Sequence, residues 1–292
     1  VGSRWSSRRR TSSVISIRLP FPSVMFIQCI QTYTLQFARR SAAWRSLATA
    51  VERSAIRHVD GAVAETSFAR VWAARYQPAE HIRTIPHPLN PAFLETPAGH
   101  RDPIALAVGT LHLLKGMDTV IRAFAACSVA PARLLIAGHG PDRRALRLLA
   151  YTLGVGHRTT FLGHVPPDQV RALMAQARLL VMGSRVDTSP NTITEAHASA
   201  VPVVATRAGG IPDMVAEGVD GYLVDIDDHR NMALRMQLLL EDAELARQQG
   251  EAGRAKVRVE NDPDRIAAAH LDFYRFILQR STRAGASSPC AA

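Results

Sequence analysis

The sequence predicts an α/β fold, a doubly wound, Rossmann-like parallel sheet behind a partial α/β layer. Two observations carry that expectation. From Pro103 onward, short runs that are apolar at every position recur at intervals of roughly 25 residues, and the stretches between them carry apolar residues at helical spacing. A strand that is apolar throughout must be covered on both faces, which is the condition of a parallel sheet between two layers of helices.

The expected strands are residues 104–108, 134–137, 160–162, 179–182, 203–205 and 222–224. Pro166 and Pro167 open one of the intervening helices, whose Val170, Leu173, Met174 and Ala177 share a face. Ahead of this unit, residues 41–58 read as a helix, 62–65 as a strand, 67–76 as a helix and 82–85 as a strand. Pro86, Pro88, Pro91 and Pro97 then punctuate a linker, which marks a domain boundary. The tail closes with an amphipathic helix over 262–280, carrying Ile266, His270, Phe273 and Ile277 on one stripe. The division is therefore a partial front domain (1–95), a complete back domain (96–280) and a disordered tail (281–292).

Composition removes several classes of function. With 47% hydrophobic and 21% charged residues, the 292-residue chain can bury a real core. Its net charge of +10 is almost wholly arginine, since Lys115 and Lys256 are the only lysines. No arginine-rich block sits beside aromatic residues in an RNA-binding pattern, so no nucleic-acid partner is expected. Cys29, Cys127 and Cys290 are odd in number and widely spaced, which suits a reducing compartment. The apolar stretch 19–37 is broken by Pro20, Pro22, Gln28, Gln31 and Gln36 and makes a poor membrane span. With Val1 at its head, the N-terminus reads as an upstream truncation or a mis-assigned start rather than as a membrane-docking segment.

Ligands of open parallel sheets lie beyond the carboxyl ends of the strands, and three such ends are chemically loaded. The first runs from Gly109 and Thr110 to Lys115, where glycine admits close backbone approach and the lysine offers a compact cation for phosphate. Its bland alternative is a solvated lysine before a helix. In the second, Ser189 would cap a helix whose first residue is Pro190. The free amides of Asn191 and Thr192 would then meet an anion at the positive helix end. Glu195 follows five residues after Pro190, about 7.5 Å along the axis, an offset that suits a ribose diol beside the diphosphate. Asp187, ahead of the helix, would reach a sugar on the other side; otherwise it is a turn former and Glu195 a surface residue. The third end carries Gly209 and Gly210, either a tight turn or a place where backbone presses on a ligand.

Other features carry less. Gly138, Gly140 and Pro141 lack the third glycine of a dinucleotide fingerprint, so no nicotinamide cofactor is expected. Asp225, Asp227 and Asp228 resemble a metal-binding acidic triplet but precede a helix, and capping is the expected role. The eleven histidines show no paired metal-ligand spacing, and no metal is expected.

In order, "AVGTLHLLKGMDTVIRAF", "LLIAGHGPDRRAL", "TTFLGHV" and "GSRVDTSPNTITEAHASAVPVVATRAGGIPDMVAEGVDGYLV" are similar to the retaining family-4 glycosyltransferases of GT-B fold. The front segments "VERSAIRHVDGAVAETSFAR" and "HIRTIPHPLN" resemble the end of the same family's N-terminal domain. The resemblance implies catalytic roles for Lys115 on the donor diphosphate, Asp187 on the transferred sugar and Glu195 on the ribose. It implies donor binding by Gly109, Thr110, Ser189, Asn191, Thr192, Gly209 and Gly210, and a closing helix near 273–277 that crosses back to the front domain. Three positions depart from the pattern. Asp187 stands for a glutamate, Thr110 for an arginine, and Ala200 for the glycine that follows the helix, at a cost of about 1 kcal/mol if left-handed. The front glycine-rich loop and acceptor-side histidine have no counterpart in residues 1–60.

The implied partners are a nucleoside diphosphate sugar and a glycan or lipid-linked acceptor, without cofactor. The implied place is the cytoplasm, at the inner face of the plasma membrane, where peripheral contact would suit the positive charge. The implied function is retaining sugar transfer in polysaccharide or glycolipid assembly; its rival is a truncated, non-catalytic nucleotide-sugar-binding remnant.

Overall fold

The uniformly apolar runs form one parallel sheet, in the order expected of a doubly wound fold. The computed structural model describes residues 22–28, 30–35, 41–96 and 101–286. The arginine run 8–10, Cys29, Pro97, Cys290 and residues 19–21, 36 and 37 of the 19–37 stretch lie outside the described residues.

The front layer comprises β1 (Val24–Ile27), α1 (Gln31–Thr34), α2 (Ala42–His58), β2 (Gly61–Ala64), α3 (Ser67–Ala73) and β3 (Ile82–Thr84). Its strands make a parallel sheet in the order β1-β2-β3. The interrupted apolar stretch thus contributes a strand, β1, whose pairing with β2 runs from Val24–Gly61 to Ile27–Ala64. The back layer follows: β4 (Asp102–Val108), α4 (Met117–Ala126), β5 (Arg133–Ala137), α5 (Arg143–Thr152), β6 (Thr159–Gly163), α6 (Pro167–Gln176), β7 (Ala177–Met182), α7 (Asn191–Ala198), β8 (Val203–Thr206), α8 (Ile211–Met214), β9 (Gly221–Val224), α9 (His229–Glu241), α10 (Ala243–Glu260) and α11 (Pro263–Ala286). Its strand order is β6-β5-β4-β7-β8-β9, all parallel. The chain moves outward from β4 to β6, then returns past β4 to begin β7. That reversal opens a crevice between the carboxyl ends of β4 and β7.

Each face of the large sheet has its own core. One packs Val120, Ile121 and Phe124 of α4 with Met232, Met236 and Leu239 of α9 against β4 and β7. The other packs Met174, Ile193, Ala196 and Val257 beneath Leu106, Leu180 and Val203. On the front sheet, Ile56, Trp72 and Ile82 close one face, while Ile266, Phe273 and Ile277 of α11 close the other against Val63 and Ile85. The final helix therefore crosses from the back layer to the front one and seals it.

Several boundaries differ from the sequence reading by a few residues, among them α3, which ends at Ala73, and three more. Ala177 is not the last apolar position of α6 but the first residue of β7, because helix passes directly into strand without a turn. Asp262 lies outside α11 and caps it, accepting from the Arg265 amide at 2.8 Å. The helix continues to Ala286, so residues 281–286, assigned to the tail, are helical in backbone; 287–292 lie outside the described residues. Among the described residues no helix is long and apolar enough to cross a membrane.

Candidate active site at the β4–β7 crevice

Two of the three loaded loops meet at the crevice. After β4, His112 caps a short 3₁₀ turn, its Nδ1 accepting from the Leu114 amide at 3.1 Å, and the turn delivers Lys115. After β7, the chain runs through Ser184–Asp187 towards α7. Lys115 Nζ donates to Asp187 Oδ2 at 2.6 Å, with both side chains largely sheltered. Ser184 Oγ donates to the same oxygen at 3.3 Å. The Lys115 stem lies over Gly109, close enough that a Cβ there would touch it.

Close backbone contact makes this meeting geometrically possible. Gly116 is left-handed (φ 55°) and abuts Gly183, and a Cβ on Gly116 would strike the Gly183 carbonyl. Arg185, which the sequence did not suggest, ties the same two loops. It donates to the Leu113 carbonyl at 2.6 Å and bridges Asp118 (2.8 Å) and Asp227 (2.7 Å). Burial alone would raise the Asp118 pKa, but the Arg185 hydrogen bond and charge outweigh it and hold it below the usual range. Of the acidic triplet, Asp228 caps α9 through the Asn231 amide at 3.0 Å, and Asp227 serves Arg185 and Thr119. Capping and bracing account for both. Among the described residues no cluster of three or more potential metal ligands occurs.

The start of α7 corrects one assignment. Pro190, not Ser189, occupies the cap position; its extended backbone (ψ 110°) lies outside the helical region, and Asn191 is the first helical residue. No side chain caps this end. Ser189 instead lines a cavity of about 60 Å³ between the two layers, together with Glu65, Thr66 and His87. Among the described residues no hydrogen bond engages the amides of Asn191 or Thr192, which leaves two donors at the positive helix end. Thr110, in the loop after β4, is exposed.

Gly209 and Gly210 do press on backbone, but that of the neighbouring loop. Gly209 is left-handed (φ 56°), and a Cβ on it would collide with the Asp187 carbonyl. The Gly210 amide donates to that carbonyl at 2.9 Å. The glycine pair thus fixes the height of Asp187. From the front layer, Thr66 Oγ1 donates to the Thr188 carbonyl at 3.0 Å, and the Ser67 hydroxyl donates to Asp213 at 2.8 Å.

Glu195 lies one turn into α7 and is half-buried. Burial raises its pKa, opposed by His87 nearby. His87 belongs to the linker and was not singled out by the sequence. Its Nδ1 must donate to the Pro88 carbonyl (2.8 Å), so Nε2 is left to accept from Asn191 Nδ2 at 3.4 Å. Asn191 and Glu195, one turn apart, thus face the linker, and among the described residues no ion pair joins Glu195 to Lys115. The far end of α7 is gripped by arginines. Arg254 Nε donates to the Ala198 carbonyl at 2.9 Å and Arg101 to that of Ser199 at 2.5 Å, satisfying carbonyls that the helix leaves free.

A helix N-terminus and a lysine at the switch point of a parallel sheet, with a second α/β layer facing them, define the GT-B class of sugar-transferring folds. Sucrose-phosphate synthase from Thermosynechococcus elongatus superposes with a TM-score of 0.76 at 24% identity, over 88% of this chain and 68% of that one. Residues 93–256 match the family described as "Glycosyl transferases group 1", and the chain belongs to that family. It is 30% identical to the N-acetyl-alpha-D-glucosaminyl L-malate synthase of Bacillus anthracis, over 60% of this chain and 46% of that protein. It is 31% identical to a GDP-mannose-dependent alpha-(1-6)-phosphatidylinositol monomannoside mannosyltransferase of Mycobacterium tuberculosis, over 77% of this chain and 65% of that protein. The chain therefore spans about half to two thirds of the length of these relatives.

Proposed function

We propose that this chain binds a nucleoside diphosphate sugar in the β4–β7 crevice and that the protein transfers the sugar to a glycan or lipid-linked hydroxyl with retention, as in family 4. The observation that carries the reading is the pairing of Lys115 with Asp187 at 2.6 Å at the sheet's switch point. The same loop leads on from Asp187 to the unengaged amides of Asn191 and Thr192 at the start of α7. A relative named for its dependence on GDP-mannose supports the donor class.

The chemical difficulty is negative charge growing on the departing diphosphate. Lys115 and the α7 amides would stabilise that charge from fixed positions in a sheltered crevice, which needs no reorganisation during reaction. Asp187, held by Lys115 and by Gly209–Gly210, would set the orientation of the sugar hydroxyls. Glu195, half-buried beside His87, would accept from the ribose diol. Glycan assembly at the inner membrane face is the setting that this chemistry suits.

Lys115→Ala should lower turnover by roughly 10²–10³-fold, the usual effect of losing one preorganised charge donor, and Glu195→Gln should chiefly weaken donor binding. Calorimetric titration with UDP and GDP, beside an assay of sugar release and transfer, measures both. Unchanged turnover in Lys115→Ala removes the lysine from the mechanism. Tight donor binding without transfer or hydrolysis marks a binding remnant instead.

A further inference from the structure

The outer face of α5 gathers three arginines on one short helix. Its sequence, RRALRLLAYT, contains no acidic residue. Some exposed helix arginines elsewhere sit three residues from a carboxylate and pair with it, as Arg247 does with Glu244 and Arg275 with Asp272. Arg143, Arg144 and Arg147 pair with no carboxylate among the described residues, and the Arg143 Nε is buried without a partner. Together with Pro141 they line an open hollow of about 380 Å³.

Helical spacing places Arg144, Arg147, Leu148 and Tyr151 on one stripe, opposite the buried Leu146 and Ala150. Leu148 is 64% and Tyr151 78% exposed. An apolar pair of this exposure, interleaved with unpaired cations, is costly on a surface that meets only water. Two of the arginines also occupy the first helical turn, where the helix field favours anions over cations. Both facts are resolved by an anionic partner that offers an apolar layer beneath its charges.

We propose that this face of α5 docks on an anionic lipid bilayer, with Leu148 and Tyr151 entering the interface and the three arginines on headgroup phosphates. The start of α5 is tied to the crevice: the Asp142 amide donates to the Leu111 carbonyl at 3.0 Å, in the loop that leads to Lys115. Docking there would bring the crevice to the membrane surface, where a lipid-linked hydroxyl would be found. Vesicle binding itself requires no donor sugar, so it can fail or succeed independently of the donor-binding reading.

The test is co-sedimentation of the full chain with phosphatidylcholine vesicles, with and without phosphatidylglycerol. Expected is binding only to the anionic vesicles, weakened roughly tenfold or more by Arg144→Ser with Arg147→Ser, and weakened also by Leu148→Ser with Tyr151→Ser at unchanged net charge. Arg230→Ser with Arg258→Ser, of equal charge loss on other surfaces, should bind nearly as the parent does. Melting curves confirm that each variant folds. Equal binding by the α5 and control variants, absence of binding, or retention of transfer RNA in preference to vesicles would each overturn the proposal.

Discussion

Lys115 and Lys256 are the two lysines of an arginine-rich chain, and each is held by an aspartate, Asp187 at 2.6 Å and Asp220 at 3.0 Å. The sequence singled out the first and passed over the second. Lys256 belongs to a buried set in which Asp220 also accepts from the Ala216 amide at 2.7 Å and its carbonyl meets His197 Nε2 at 3.2 Å. His197 is fully buried, and desolvation pushes its pKa down to about 4, with Asp220 opposing and Lys256 reinforcing the shift. The folded chain therefore holds this imidazole neutral, while the unfolded chain protonates it near pH 6.5. Between those values the unfolded state binds the extra proton, so stability falls as pH drops from about 6.5 towards 4. The loss from this one group is on the order of 3 kcal/mol. Denaturant melts of His197→Leu across this range should show a shallower pH dependence than the parent; parallel curves would contradict the assignment.

At the scale of the element, α7 shows what could and could not be read in advance. The position of a helix behind β7, its polar first turn and the location of Glu195 were legible because proline and helical periodicity leave marks in sequence. The cap was not: Ser189 has the right chemistry, but whether it faces the amides depends on the backbone at Pro190. Nor were Arg101, Arg185, Arg254 and His87, whose partners lie far away in the chain and leave no local pattern. The helix ends as the sequence suggested, with Ala200 left-handed at φ 55° and the Val201 amide closing onto Ala196 at 2.8 Å. A side chain is strained there, so Ala200→Gly should stabilise the protein by about 1 kcal/mol, or roughly 2–4 °C in melting temperature. A lower melting temperature would show that the buried methyl group matters more than backbone strain.

For the whole molecule, alternation of apolar runs and helices was enough to give the sheet, whereas the crevice follows from a strand order that reverses at β4 and that only the structure shows. The contacts between layers were beyond sequence reasoning, since Thr66 with Thr188 and Ser67 with Asp213 join residues more than 100 positions apart. Legibility also fell short at the front, where β1 hides in a stretch broken by proline and glutamine. The structure makes α11 the seal of that front sheet, with Phe273 and Ile277 against Gly61, where a Cβ would meet both side chains. Phe273→Ala should cost about 3–5 kcal/mol, and proteolysis should then cut the front layer first. Uniform protection of both layers would show that α11 is not what holds them together.

The central claim is that one nucleotide lies between Lys115 and Glu195, across the start of α7. Crystallography of the chain with bound GDP or UDP tests it directly. The account predicts Lys115 Nζ and the Asn191 and Thr192 amides on the diphosphate, with the Glu195 carboxylate on the ribose hydroxyls of the same molecule. A nucleotide seated elsewhere, or one that touches Lys115 while Glu195 stays turned to His87 and away from the ribose, would contradict it.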